Sequence, residues 1–313
     1  MAFVPLKETY SGKVYPVQIG TEPKGVAFGG ENVLPFHGFE GTTPHKPVIA
    51  YEIQDVFPVD WPEEVQKPYK DVSGDPVAWA KFCQNELKAK AIALRLTGTH
   101  PDRDNRSPED GAKTVRDVLS SIDVPLIILG SNHTEKDASV LVAAAEAAKE
   151  RNCIIGKAQE ANYKTIAAAA IANNHKLIAM SELDINLSKQ LNILITQMGF
   201  DKERIITDPM CSALGYGLEY TYSVMERIRL AALAQNDVTM QQPILGDIGM
   251  YVWKVKETQA SETDVPHWGD LEERSIAWEA VTAAALLMAG AELLIMRHPK
   301  AAESVERLIE ELS

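Results

Sequence analysis

Short apolar runs alternate with longer stretches of helical periodicity from residue 47 to residue 313. Each run is three to six residues long and almost continuously apolar, which is typical of parallel strands buried on both faces. The pattern predicts eight strands, at 48–53, 91–96, 125–129, 153–155, 176–180, 204–207, 243–245 and 292–296. It predicts a helix after each, at 76–90, 108–121, 135–151, 163–173, 185–198, 218–234, 271–288 and 301–312.

The order of these elements predicts an α/β fold, a (β/α)8 TIM barrel. Eight strand-and-helix units over residues 47–313 match the usual size of about 250 residues for such a barrel. Ser107 and Asp110 form a variant of the capping box at one predicted helix start. The alternative is an open doubly wound sheet, which needs a Gly-rich phosphate turn after its first strand. The segment Gln54–Pro58 has no such turn.

Residues 1–46 differ from the rest because glycines and prolines are frequent there. Short apolar pieces at 14–19 and 26–28 lie between turn residues, which indicates short strands and turns. We expect this N-terminal extension to pack on a barrel domain at 47–313. Its first residues carry no basic region followed by an apolar run, so we expect no signal peptide and a cytoplasmic protein.

The loops after the predicted strands are polar, but they contain no recognisable catalytic set. His100, His133 and His298 follow three strands without the HxH or HxxH spacing of a metal site. Lys157 stands alone after the fourth strand, where a solvated or paired lysine is the ordinary interpretation. We therefore predict no catalytic residue and no metal ligand in this chain.

Charge and cysteine content exclude further classes. The chain has 31 Lys and Arg against 44 Asp and Glu, a net charge of −13. Phosphate backbones and anionic membrane surfaces repel such a protein, so we expect no nucleic-acid or membrane partner. Cys83, Cys153 and Cys211 are far apart, which predicts that the chain carries no iron–sulfur cluster of its own.

A set of short motifs resembles one known family. The motifs are Ser11–Val14, Val26–Asn32, Leu34–Phe36, Leu94–Gly98, Pro125–Ser131, Thr207–Met210 and Leu245–Gly249. In this order they resemble the small subunit of the corrinoid iron–sulfur protein, whose archaeal counterpart is the delta subunit of acetyl-CoA decarbonylase/synthase. The resemblance covers nearly the whole chain, including the N-terminal extension.

The resemblance implies a methyl carrier in the reductive acetyl-CoA pathway and no stand-alone catalyst. A large subunit would carry the [4Fe–4S] cluster and the main corrinoid domain, and the cobamide would lie between that domain and the C-terminal face of this barrel. Its cobalt would cycle between Co(I) and methyl-Co(III). A methyltetrahydrofolate methyltransferase would supply the methyl group, and acetyl-CoA synthase would receive it.

A corrin ring is fringed by amides, so it needs donors and acceptors from several loops. If the resemblance holds, we expect these from the following strand-end residues: Thr97, Asn132, Asp208, Gly246, Asp247, Gly249 and His298. We expect Tyr216, Tyr251 and Trp253 to be exposed on the rim and to be covered by a partner chain.

Three other interpretations stay open at this point. A self-sufficient pterin-dependent methyltransferase would read the pterin edge with Asn132 and Asp208. A metal-dependent lyase barrel would need ligands that the strand ends do not assemble. A purely structural barrel would need none.

Overall fold

A computed structural model describes residues 6–313, so the first five residues of the predicted extension lie outside the described part. Eight parallel strands close into a barrel in the order β10–β3–β4–β5–β6–β7–β8–β9. The barrel strands are β3 (Val48–Gln54), β4 (Ala91–Arg95), β5 (Leu126–Leu129), β6 (Ile154–Ala158), β7 (Lys176–Met180), β8 (Ile205–Asp208), β9 (Ile244–Asp247) and β10 (Ala291–Met296). The predicted TIM barrel is confirmed.

The helices cover the outside of the barrel and return the chain after each strand. They are α1 (Glu63–Gln66), α2 (Pro76–Asn85), α3 (Pro108–Leu119), α4 (Thr134–Ala147), α5 (Tyr163–Ala172), α6 (Ile185–Gln197), α7 (Leu218–Leu233), α8 (Gly249–Val252), α9 (Leu271–Met288) and α10 (Pro299–Leu312). None of these helices combines the length and the apolar character that crossing a bilayer requires.

The capping box predicted at one helix start is present, but two helices end about one turn earlier than predicted. The Ser107 side chain accepts from the Asp110 N–H and the Asp110 side chain accepts from the Ser107 N–H, a complete capping box. The helices predicted at 76–90 and 135–151 are longer than the observed helices α2 and α4, which end at Asn85 and Ala147. Lys88 and Glu150 adopt positive φ values of 55° and 67°, which no α-helix accommodates.

The interior of the barrel is apolar towards the N-terminal ends of its strands. Small and branched side chains that alternate along the strands fill it, including Ala50, Ala93, Ile127, Ile206 and Leu293. All of them are at most 1% exposed. Packing of this kind leaves no channel through the barrel, so ligands can approach only from its two ends.

A two-stranded hairpin lies at the N-terminal end of the barrel. Its strands β1 (Val17–Ile19) and β2 (Val26–Phe28) pair antiparallel. The side chains of Val17, Ile19 and Phe28 join the apolar cluster of the barrel interior. The N–H of Gly20 donates to the carbonyl of Asn152 in the loop before β6. The hairpin therefore covers part of the N-terminal end of the barrel, while the division at residues 46 and 47 stays a prediction.

Candidate functional site

Six charged side chains lie inside the C-terminal end of the barrel, directly above its apolar interior. They come from five strands and the residue after β10, and each is at most 6% exposed. We call this group the mouth cluster; its members are Glu52, Arg95, Lys157, Asp208, Asp247 and Arg297. Three cations and three carboxylates balance one another, as buried charges must.

Asp247 is the centre of one half of the mouth cluster. Its carboxylate accepts from Arg95 Nη2 at 3.0 and 2.9 Å and lies 2.7 Å from Lys157 Nζ. Lys157 Nζ is also 2.8 Å from Asp208 Oδ2. Burial raises the pKa of Asp247, but the charges of Arg95 and Lys157 outweigh it and hold that pKa well below its usual range. The pKa of Lys157 is raised, because the two carboxylates outweigh its own burial.

Glu52 joins the two arginines in the other half. It accepts from Arg95 Nε at 3.0 Å and from Arg297 Nη2 and Nε at 2.9 and 3.1 Å. The pKa of Glu52 lies below its usual range, since the two guanidinium groups outweigh its burial. The guanidinium of Arg297 also lies over the Trp61 ring, 4.5 Å from its centre. Every carboxylate in the cluster is thus already neutralised.

Glu279 of α9 holds the backbone that carries Arg297. Its two carboxylate oxygens accept from the N–H groups of Arg297 and His298 at 2.7 and 3.0 Å. Complete burial raises the pKa of Glu279 to about 7, although these two hydrogen bonds oppose the shift. Glu279 is therefore a buried group that titrates near neutral pH.

We expect Glu279 to make stability depend on pH. Its folded-state pKa is raised, so between pH 4.5 and 7 the folded protein keeps a proton that the unfolded chain loses. Rising pH therefore destabilises the wild type by up to about 3 kcal/mol relative to Glu279→Gln. Urea unfolding of both proteins at pH 4.5 and 7.5 measures this difference. Glu303→Gln, at an exposed position of α10, is the matched control, and parallel pH profiles for wild type and Glu279→Gln would contradict the assignment.

Two of the predicted cofactor-binding residues lie at the rim of the mouth. The Asn132 side chain is exposed, and its Nδ2 lies 3.3 Å from Met250 Sδ. Thr97 is partly exposed, but its Oγ1 is buried without a hydrogen-bond partner within residues 6–313. The Asn132 side chain is therefore accessible to a ligand, whereas the Thr97 hydroxyl is covered.

Two others, Asp208 and Asp247, are fully buried in the mouth cluster. Each carboxylate is paired with a cation and does not project from the mouth, and a contact between either of them and a cofactor stays a prediction. Sequence reasoning treated Lys157 as solvated or paired, and the structure shows the paired form.

Gly246 and Gly249 are required for internal packing. A Cβ at Gly246 would meet Leu286 and Leu294 at 3.1 Å, and one at Gly249 would come within 2.6 Å of Arg297 Cγ. Both glycines are buried, so their small size lets neighbouring side chains approach. Close approach of a ligand is not needed to explain them.

His298 is also buried, at 1% exposure. Its Nδ1 accepts from the Lys300 N–H at the start of α10, and its ring stacks on Trp253. Burial lowers the pKa of His298 to about 4, so it is neutral at physiological pH. It is a helix cap that sits beneath the mouth surface.

The rim aromatics differ from the expected set. Trp253 is fully buried against His298, so its predicted exposure is wrong. Tyr251 is half-buried, whereas Tyr216 is 49% exposed. Two further aromatic side chains, Tyr220 and Trp268, are exposed on the neighbouring loop and helix start. We call Tyr216, Tyr220 and Trp268 the aromatic rim.

Sequence reasoning missed Glu52, Arg95 and Arg297. A signal existed, since Glu52 and Arg95 interrupt otherwise apolar strands that are buried on both faces. A charge in such a strand requires a partner of opposite sign. The sequence could not show which strand supplies it.

Unpartnered polar atoms mark the ends of β3 and β4. Within residues 6–313, four buried atoms there lack a hydrogen-bond partner: Gln54 Oε1, Asp55 Oδ2, Arg95 Nη1 and Thr97 Oγ1. Burial raises the pKa of Asp55 to about 6, although the Gly98 N–H donates to its Oδ1. We call these four atoms the polar shelf. No three His, Cys, Asp or Glu side chains of the described residues converge as a set of metal ligands.

The model of the CO dehydrogenase/acetyl-CoA synthase delta subunit family matches residues 16–306. The chain belongs to this family. The delta subunit of the acetyl-CoA decarbonylase/synthase complex from Methanocaldococcus jannaschii is 32% identical, over 97% of this chain and 75% of the relative. The delta subunit from Archaeoglobus fulgidus is 35% identical, over 96% of this chain and 68% of the relative. The resemblance seen in the sequence motifs is confirmed.

Solved structures show how this delta-family barrel is related by fold. The dihydropteroate synthase of Vibrio fischeri superposes with a TM-score of 0.59 over 94% of this chain and 97% of the other, at 10% identity. The dihydropteroate synthase of Xanthomonas albilineans with 7,8-dihydropteroate gives a TM-score of 0.58 at 13% identity, over 87% and 96% of the two chains. At such identity the likeness concerns the fold alone.

Proposed function

We propose that this chain is the small subunit of a corrinoid iron–sulfur protein, a methyl carrier within an acetyl-CoA decarbonylase/synthase system. The observation that carries the proposal is the match to the delta subunit family over residues 16–306. Relatives from several archaea that bear this name match over most of the chain. The chain then supports methyl transfer as part of a complex and catalyses no reaction alone.

The mouth cluster supports a role in holding a cofactor and not in catalysis by this chain's own side chains. Its three carboxylates are neutralised by Arg95, Lys157 and Arg297, so none is free to act as a general base. The Lys157 amine is held between two carboxylates in its charged form, which is not nucleophilic. A barrel of this kind suits a cofactor that carries its own chemistry.

The polar shelf and the rim fit the edge of a corrin. Gln54 Oε1 and Asp55 Oδ2 offer acceptors, Arg95 Nη1 offers a donor, and Thr97 Oγ1 offers both. The exposed Asn132 amide can meet the amide side chains that surround the macrocycle, and the four buried atoms of the polar shelf lie beneath that surface without hydrogen-bond partners. When bound, the corrinoid supplies the cobalt centre that takes up and releases the methyl group. The other five predicted contacts lie below the surface of the mouth and would support its shape without touching the corrin. They are Asp208, Gly246, Asp247, Gly249 and His298.

His133 and His298 each accept a hydrogen bond from a backbone N–H, and we propose that neither binds the cobalt. Replacing His298 with alanine should leave the cobalt absorption spectrum of the complex unchanged, because its Nδ1 already accepts from the Lys300 N–H. The variant should lose about 1–3 kcal/mol of stability through the lost cap and stack. His133→Ala, at the cap of α4, is the companion variant. A spectrum that reports a changed axial ligand in either variant would refute the proposal.

The partner should be a large subunit that carries the [4Fe–4S] cluster. The three cysteines of this chain are all buried at separate places. Burial raises the pKa of the Cys153 thiol to about 12, which keeps it protonated and unsuited to bind iron. Protonated buried thiols also suit a reducing, cytoplasmic location. The methyltetrahydrofolate methyltransferase and acetyl-CoA synthase would dock transiently on the assembled carrier.

The pterin-dependent methyltransferase remains the alternative. It needs a free acid at the mouth, whereas Asp208 is paired with Lys157 at 2.8 Å. Binding of methyltetrahydrofolate by this chain alone would favour it.

Anaerobic co-production with the large subunit tests the proposal. We expect a complex with about one cobalt per heterodimer and a corrinoid absorption spectrum, and we expect four iron atoms only when the large subunit is present. The chain produced alone is the control. A stable complex without cobalt, or stoichiometric iron in the isolated chain, would overturn the proposal.

A further inference from the structure

A cavity of about 220 Å3 lies at the N-terminal end of the barrel, opposite the mouth. The N-terminal segment before β3, the start of β10 and the last residues of α9 and α10 surround it. Its walls are mainly apolar, formed by side chains that include Phe36, Pro44, Leu287 and Leu312. Two carboxyl groups, those of Glu31 and Glu292, also line it. The mouth cluster and the aromatic rim contribute nothing to this cavity.

The two carboxyl groups differ in how they are held. Glu292 Oε2 accepts from Arg229 Nη2 and from the Ile244 N–H, both at 2.6 Å. Arg229 is buried and also donates hydrogen bonds to the carbonyl groups of Gly290 and Gln242. These bonds hold the guanidinium on the side of Glu292.

Glu31 is 91% buried, and its carboxyl group lines the cavity together with that of Glu292. Within residues 6–313 it has no ion-pair partner. Two buried carboxyl groups at one cavity beside a single guanidinium repel each other electrostatically when both are ionised. Accordingly, the pKa of Glu292 is raised well above its usual range by burial and by Glu31, against the opposing charge of Arg229.

The other basic groups around the cavity do not balance Glu31. Lys46 lines the cavity, but its Nζ is 2.6 Å from Glu310 Oε2 at the surface. His45 also lines the cavity and forms no ion pair within the described residues. A cation that entered the cavity would meet two carboxyl groups and apolar walls, and its positive charge would offset the repulsion between the two carboxyl groups.

We propose that this cavity is a binding site for a small organic cation, an ammonium or amidinium group on an apolar body, with Glu31 and Glu292 as its acceptors. The apolar walls would pack against the body of the ligand, while the paired carboxyls would hold its positive end. The volume accepts a single ring with one charged substituent. The proposal is independent of the corrinoid function, because the site lies at the other end of the barrel.

Benzamidine is a suitable probe, because its planar amidinium can donate to two carboxyl oxygens at once. Isothermal titration at pH 7.5 should give saturable one-to-one binding to the full chain. Benzamide, which has the same ring and no charge, should bind at least about tenfold more weakly. Equal affinity for the two compounds, or no saturable binding of benzamidine, would overturn the proposal.

Variants separate the site from non-specific attraction to an acidic protein. Glu31→Gln should weaken benzamidine binding at least about tenfold, since it removes an acceptor charge and keeps the shape. Glu303→Gln makes the same charge change at an exposed position of α10 and should bind like the wild type. Equal affinities of the two variants would refute the assignment.

A measurement on the wild type covers the case in which Glu31→Gln fails to fold. Benzamidine should shift the NMR signals of Phe36, Leu287 and Leu312, which line the cavity. Signals of Tyr216 and Tyr220 on the aromatic rim should stay in place. Shifts confined to the rim or spread over the surface would contradict the proposal.

Discussion

Replacing Lys157 with methionine should lower the free energy of unfolding by about 3–5 kcal/mol. The Lys157 amine lies 2.7 Å from Asp247 and 2.8 Å from Asp208, and all three side chains are buried. Without it, two buried carboxylates face each other with only Arg95 to neutralise Asp247. Urea unfolding at pH 7 followed by circular dichroism measures the loss.

The matched control is Lys189→Met, which removes a lysine that lies 2.6 Å from Asp237 at the surface. Because the Lys189 side chain is 49% exposed, water replaces its partner, and the cost should be at most about 1 kcal/mol. Adding Asp208→Asn to Lys157→Met should restore part of the lost stability, since it removes one unpaired charge. If Lys157→Met lowers the free energy of unfolding no more than Lys189→Met does, the mouth cluster does not stabilise the barrel as described.

Truncating the aromatic rim should weaken assembly with the large subunit at least about 30-fold, which corresponds to about 2 kcal/mol. Tyr216 and Tyr220 are 49% and 66% exposed at the C-terminal end of the barrel, where the proposed function places the partner. Large aromatic side chains in such positions supply most of the binding energy when a partner covers them. The affinity of Tyr216→Ala/Tyr220→Ala for the large subunit can be measured by anaerobic titration calorimetry.

Phe39→Ala is the control for this variant. Phe39 is 57% exposed, but it lies on the N-terminal segment and stacks on His37, away from the mouth. It should bind the large subunit with wild-type affinity, and both proteins should unfold like the wild type. An unchanged affinity of the double variant, or an equal loss in Phe39→Ala, would mean that the partner does not cover the aromatic rim.

Much of the fold could be predicted because each element leaves a local signal. The run Lys176–Met180 and the helix Leu271–Met288 were predicted with their observed bounds. The capping box at Ser107 was also predicted, since it depends on residues only three positions apart. The helix after Asp75 was predicted to run to residue 90, but it ends at Asn85 because Lys88 adopts a positive φ.

The candidate site was predicted less well, because burial and pairing are not local properties. Asp247 was expected to face a ligand, yet it is fully buried between Arg95 and Lys157, which precede it by 152 and 90 positions. Trp253 was expected on the rim, but it packs beneath it against His298. Hydropathy along the chain does not distinguish an aromatic side chain that faces solvent from one that closes a loop over the core.

The sequence by itself determined the barrel, its eight units and the family to which the chain belongs, since these depend on the periodicity of apolar residues and on ordered motifs. Only the tertiary structure decided that six charged side chains neutralise one another at the mouth and that Glu31 and Glu292 line one cavity at the other end. Closing the barrel brings β9 and β3 to either side of β10, and so places residues 52, 247 and 297 together. Electrostatic energy depends on these distances in space and on burial, neither of which is written in the order of residues.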